Sequence, residues 1–101
     1  MVSHQDIMGK LIHSGAAFRA NGIADCVKYH VTSFDIVEQL KKLKNDQVMV
    51  IGWTVSQCAI AALDVLGEEK YSGKDPNVLS LIKGFRTFVD KSTESSASFN
   101  Q

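Results

Sequence analysis

The segment from Gln47 to Gly67 constrains the fold of this chain more than any other. It is apolar on most sides, and its polar side chains recur at helical spacing: Gln47, Thr54, Gln57 and Asp64. A helix that is apolar on most of its faces has to be surrounded by protein. The segment therefore predicts the central helix of a small bundle or the seam of an oligomer.

Charge balance limits the classes of partner. The 101 residues are enough for one domain and include eleven basic and eleven acidic side chains, so the formal net charge is zero. A general nucleic-acid binder needs an excess of Lys and Arg to displace counterions, and this chain has none. Neutrality also leaves self-association electrostatically unopposed. We therefore expect a homo-oligomer and no nucleic-acid partner.

Sequence features that report on the compartment favour the cytoplasm, of the protein's own cell or of a host. The polar start from Met1 to Asp6 predicts no secretion signal. Uncharged apolar runs fall short of the roughly 18 residues that a membrane span requires, so we expect no membrane partner. Cys26 and Cys58 lie in apolar surroundings, which is typical of reduced, structural thiols.

Apolar residues at three- and four-residue spacing predict an all-α bundle of four to five helices. These cover residues 3–20, 23–44 with a break allowed near Thr32, 46–66 and 76–91. Asn21-Gly22 is expected to end the first helix, and Asp75-Pro76 to begin the last. Residues 1–91 then form a single helical domain, and the polar residues 92–101 a disordered tail. The alternative is a small α/β fold with strands at 27–31 and 48–51.

Side chains that could carry chemistry do not form a recognisable catalytic or metal motif. Cys26 and His30 have the spacing of half a zinc site, but no second close pair supplies the two further ligands. A Cys–His nucleophilic site is disfavoured because apolar surroundings keep a thiol protonated. We expect no enzyme, no metal and no cofactor.

Charged residues near the predicted helix ends suggest one salt bridge and one kind of ligand. A carboxylate on the apolar helix needs a partner, and Asp64 is expected to pair with Lys83 or Arg86. The basic residues that could bind an anion are Lys41, Lys42, Lys44, Lys83 and Arg86.

Two functional hypotheses follow from this pattern. The first is a non-catalytic helical interaction or regulatory protein that self-associates or binds a protein partner of unknown identity. Its interface candidates are Trp53, Phe85 and Phe88. The second is a small-ligand binder, in which the basic residues of several copies converge on a nucleotide or another anion at an oligomer interface.

Overall fold

The computed structural model describes the backbone of residues 3–99 and the side chains of residues 3–89. Over these residues it has five helices and one minor sheet: α1 (His4–Leu11), α2 (Ala16–Lys28), α3 (Phe34–Leu43), β1 (Met49–Val50), β2 (Trp53–Thr54), α4 (Val55–Val65) and α5 (Pro76–Phe99). The structure is 64% helical, which confirms the all-α prediction. The α/β alternative is wrong, because β1 pairs only with β2 and residues 27–31 contain no strand.

Helix α4 is the centre of the bundle, as its composition predicted. It packs against α2, α3 and α5, while α1 packs mainly on α2. Most of α4 is buried, and its small side chains allow the other helices to approach it closely. Every helix contributes at least one of the largest fully buried side chains: Ile7, Leu11, Ile23, Cys26, Val27, Ile36, Leu40, Val55, Leu63 and Val78.

The predicted helix over residues 3–20 is wrong, because the structure divides these residues between α1 and α2. The chain turns between α1 and α2, and Gly22, predicted as a helix stop, lies buried inside α2. A Cβ atom added to Gly22 would lie 2.8 Å from the Lys10 Cβ atom and 3.1 Å from the Leu11 backbone nitrogen. The glycine is therefore needed because α1 crosses α2 at this point, and not because a helix ends there.

The break expected near Thr32 is present, between α2 and α3. Just after the end of α2, His30 adopts the left-handed backbone conformation, at φ 51°. The Val31 N–H then donates to the Cys26 carbonyl at 2.9 Å, which is the hydrogen bond of a Schellman-type helix end.

The predicted helix over 46–66 begins too early. Residues 49–54 form a hairpin, and α4 starts only at Val55. Thr54 is its N-cap: the Thr54 hydroxyl accepts from the Gln57 N–H at 3.0 Å, and the Gln57 side chain accepts from the Thr54 N–H at 2.9 Å. Of the four polar residues that suggested one long helix, only Gln57 and Asp64 lie on α4.

The start of α5 agrees with the prediction. The Asp75 carboxylate accepts from the Asn77 N–H at 2.9 Å, and Pro76 is the first helical residue. The helix passes the predicted end at residue 91. The predicted tail over 92–101 lies outside the described side chains, so its disorder, like the domain boundary at 91, stays a prediction. Within the described residues, no helix is both long and apolar enough to cross a bilayer.

Candidate functional site

The hairpin between α3 and α4 exposes an apolar surface, which we call the hairpin tip and define as Val48, Met49, Ile51 and Gly52. Val48 is 50% exposed, Met49 61% and Ile51 94%. No charged residue occurs between Asp46 and Asp64, so the tip and its surroundings along the chain are uncharged. Large exposed apolar side chains that lie together are typical of contact surfaces.

The turn of the hairpin has an unfavourable residue at its most exposed position. Ile51 has φ 44° and Gly52 has φ 88°, so both central residues are left-handed. A two-residue hairpin turn of this kind favours Asn-Gly or Gly-Gly, and a β-branched residue with positive φ is an outlier. Neither folding stability nor hydration therefore explains an isoleucine here. Strained residues of this kind are concentrated at functional sites.

The base of the hairpin is fixed by backbone hydrogen bonds around Asp46. The Asp46 carboxylate accepts from the Val48 N–H at 3.1 Å, and the Asp46 carbonyl accepts from the Ser56 N–H at 2.7 Å. The Val55 N–H donates to the Val48 carbonyl at 3.0 Å. The tip is thus carried on a base that is anchored to the start of α4.

Arg19 ties the same base to the first part of the chain. Its Nε atom donates to the Asp46 Oδ2 atom at 2.8 Å, and its Nη1 atom donates to the carbonyls of His13 and Ser14, each at 2.8 Å. The side chains of Arg19 and Asp46 are only 13% and 16% exposed. One guanidinium therefore joins the α1–α2 turn to the base of the hairpin.

The structure separates the predicted interface residues. Trp53 lies half-buried in β2 next to the core, and Phe85 is a core residue at 8% exposure. Phe88, on α5, is 45% exposed, and its ring centroid lies 6.3 Å from that of Phe85. Only Trp53 adjoins the hairpin tip.

Sequence reasoning missed the hairpin tip because it placed Val48, Met49 and Ile51 inside the central helix. Two signals in the sequence favour the hairpin. One is Gly52 within a β-branched run. The other is the Thr54-x-x-Gln57 capping box. It marks a helix start at Val55, nine residues later than the predicted start at Asp46.

Three of the five candidate anion-binding residues already have acidic partners. Lys41 lies 3.7 Å from Glu38, Lys44 lies 2.7 Å from Glu69, and Arg86 lies 3.3 Å from Asp64. The last pair confirms the salt bridge expected for Asp64, whose side chain is only 8% exposed. Lys42 and Lys83 have no acidic partner within 4.0 Å in the described part of the chain.

Groups that could support nucleophilic chemistry are poorly arranged for it. The His4 Nε2 atom faces both the Asp35 carboxylate, at 3.0 Å, and the Ser33 hydroxyl, at 3.2 Å. A serine–histidine–aspartate relay uses different ring nitrogens for the two partners. The His4 cluster instead joins the start of α1 to the start of α3.

The thiols of Cys26 and Cys58 are free and buried. Burial, followed by the nearby Asp25 charge, raises the pKa of Cys26 to about 12, and burial also raises the pKa of Cys58. His30 is exposed and lies beyond the end of α2, so it does not share a helix face with Cys26. Among the side chains of residues 3–89, no three of the His, Cys, Asp and Glu residues cluster as metal ligands.

Comparisons with known proteins give no relative: no protein-family model, no curated protein and no solved structure matches this chain. The class of this protein is therefore described by its fold and its candidate site. Over residues 3–99 it is a small five-helix bundle that carries an exposed apolar hairpin.

Proposed function

We propose that this chain is a non-catalytic interaction protein that regulates a protein partner by inserting the hairpin tip into an apolar pocket. The observation that carries the proposal is Ile51, which is 94% exposed and has positive φ. An apolar side chain at such a position is unfavourable in the free protein, and burial in a partner gives it a favourable environment.

The anchored base of the hairpin supports the same proposal. Because Asp46 holds the backbone of Val48 and Ser56, the tip is ordered before a partner arrives. Binding then loses less conformational entropy than the ordering of a flexible loop would require. A convex, uncharged tip fits a partner surface that is concave and apolar. A second copy of the chain is one such candidate partner.

Replacement of Ile51 by asparagine tests the proposal. Ile51→Asn creates the favoured Asn-Gly turn, so we expect the free energy of unfolding to rise by up to about 1 kcal/mol. The same change removes the apolar anchor, so we expect partner binding to weaken by 2 kcal/mol or more, which is the order of a hot-spot residue. Stability and binding would then change in opposite directions.

The binding measurement needs a partner and a matched control. Photo-crosslinking from p-benzoylphenylalanine at position 51 identifies the partner, and sedimentation velocity detects self-association. Ile12→Asn is the control, because Ile12 is also an exposed isoleucine, at 63%, but lies at the end of α1. A chain that gives no crosslink from position 51 and stays monomeric at all concentrations would contradict the proposal.

The anion-binding alternative has less support. It requires several copies to bring Lys42 and Lys83 together, since Lys41, Lys44 and Arg86 already bind carboxylates. Thermal stabilisation by a panel of nucleotides, lost when Lys42 and Lys83 are both replaced by alanine, would favour it over the proposal above.

A further inference from the structure

One edge of the hairpin is open for strand pairing. The minor sheet of the described residues consists of β1 and β2, so the outer edge of β1 has no strand beside it. We propose that this edge pairs with the same edge of a second copy of the chain, in an antiparallel arrangement with two-fold symmetry. The proposal concerns backbone groups of β1 and goes beyond the insertion of the Ile51 side chain into a partner.

The hydrogen bonds of the hairpin show which backbone groups point outward. The Val55 N–H donates to the Val48 carbonyl at 3.0 Å, so these two residues form a hydrogen-bonded position of the ladder. Hydrogen-bonded and non-hydrogen-bonded positions alternate along an antiparallel pair, and the next position, Met49 with Thr54, is therefore of the second kind. The N–H and carbonyl groups of both residues consequently point away from the hairpin.

The two outer edges of the hairpin differ in what they meet. On β2, the outward Thr54 N–H donates to the Gln57 side chain at 2.9 Å, so the start of α4 closes this edge. On β1, the outward N–H and carbonyl of Met49 have no hydrogen-bond partner among the described residues. A backbone N–H without a protein partner normally contacts water, and the Met49 side chain is 61% exposed. The edge of β1 thus presents a free donor and a free acceptor.

The sequence around β1 lacks the usual protection of a sheet edge. Natural proteins often block such an edge with lysine or proline, whereas residues 47–54 contain no charged residue and no proline. A second copy therefore brings no like charge against the first at this edge. The formal net charge of zero adds no repulsion between whole chains. These charge properties favour a second copy as the occupant of the edge.

Two copies satisfy each other's hydrogen bonds at this edge. When the two Met49 residues lie opposite each other, the N–H of each donates to the carbonyl of the other, and their side chains are neighbours. The resulting sheet has four strands, and its outer strands are the two β2 strands that Gln57 closes. The assembly therefore ends at two copies. Because β1 is only two residues long, we expect the dimer to dissociate on dilution.

Sedimentation velocity of the full chain over a range of concentrations tests the proposal with two variants of Met49. Met49→Pro removes the outward N–H but no hydrogen bond within the hairpin, and proline is tolerated at such an edge position. Met49→Ala is the matched control, because it also shortens the side chain but retains the N–H. We expect the native chain to dimerise, and the Kd of Met49→Pro to exceed that of Met49→Ala at least about tenfold, since each copy loses one hydrogen bond.

Hydrogen exchange of the native chain gives a second measurement that does not depend on how the variants fold. The Met49 amide should exchange more slowly as the protein concentration rises. The Ser72 amide is the control, because it also has no hydrogen-bond partner among the described residues and lies in the loop after α4. Its exchange should not depend on concentration.

Three results would overturn the proposal. They are a chain that is monomeric at every concentration, a Met49→Ala variant whose Kd rises as much as that of Met49→Pro, and exchange at Met49 that is independent of concentration. A monomeric chain that still crosslinks to another protein from position 51 would remove this inference and leave the proposed function intact.

Discussion

Arg19 and Asp46 bind each other across 27 residues of sequence, Nε to Oδ2 at 2.8 Å, with both side chains more than four-fifths buried. The pair joins the α1–α2 turn to the base of the hairpin tip. It therefore contributes both to the stability of the bundle and to the position of the proposed contact surface.

Removing the guanidinium should destabilise the fold strongly. Arg19→Ala leaves the largely buried Asp46 carboxylate without its cation and the carbonyls of His13 and Ser14 without a donor. We expect the free energy of unfolding in urea to fall by about 3 kcal/mol. Lys41→Ala breaks the exposed 3.7 Å pair with Glu38, and this variant should lower the free energy of unfolding by less than about 0.5 kcal/mol. Similar losses in the two variants would show that the Arg19 pair acts as an ordinary surface pair.

Two glycines on facing helices should respond to alanine in opposite directions. Gly22→Ala places a methyl group against Lys10 and the Leu11 backbone, so we expect a loss of about 1–3 kcal/mol despite the better helix propensity of alanine. A Cβ atom at Gly9, in α1, meets nothing within 4 Å. Gly9→Ala should therefore raise the free energy of unfolding by about 0.5–1 kcal/mol. Thermal denaturation of both variants measures these two changes in stability. A stabilising Gly22→Ala would disprove the close crossing of α1 and α2.

Acid should weaken the contact between the starts of α1 and α3. The hydrogen bond from His4 lowers the pKa of Asp35 from its ordinary value of 3.8. Because the folded-state pKa is the lower one, the stabilisation is present above pH 3.8 and is lost as pH falls through the folded-state value. Asp35→Asn should reduce the dependence of Tm on pH in that range. An identical acid profile in the variant and the native chain would rule out this linkage.

The cysteines should be unreactive in the folded chain. Burial raises the pKa of Cys26 to about 12 and also raises that of Cys58, so neither thiol is ionised near neutral pH. We expect iodoacetamide to modify both only at the rate of unfolding, with full modification in urea, as followed by intact-mass spectrometry. Rapid modification of a single thiol in the native chain would mean that its helix opens locally.

Helical periodicity was sufficient to predict the bundle, the buried α4 and the start of α5, because each depends on local pattern or on a cap. It failed where a tertiary contact overrides the local signal. Gly22 has the composition of a helix stop but lies inside α2, since α1 crosses there. The ion pair of Asp64 with Arg86 was predictable because a carboxylate on an apolar helix needs a partner.

The hairpin tip and a cavity beside α4 were harder to predict for a different reason. The run 48–51 is apolar, which indicates burial, whereas Ile51 is almost fully exposed. The cavity lined by Lys44, Ile60 and Tyr71 depends on a loop with no periodic pattern. In that loop the Tyr71 N–H donates to the Asp64 carboxylate, and the Asp75 N–H donates to the Tyr71 hydroxyl. Neither a hydrophobic pattern nor helix propensity reports on such contacts.

The uncharged run from Val48 to Trp53 has a consequence for the solubility of the chain. It combines β-branched and aromatic residues with no charge and no proline, which is the composition of segments that assemble into intermolecular sheets. In the folded protein its most exposed side chain, Ile51, is at the hairpin turn. The surface proposed to bind a partner thus also has the composition of a segment that aggregates, so burial of the hairpin tip in that partner would at the same time withdraw the segment from intermolecular sheets.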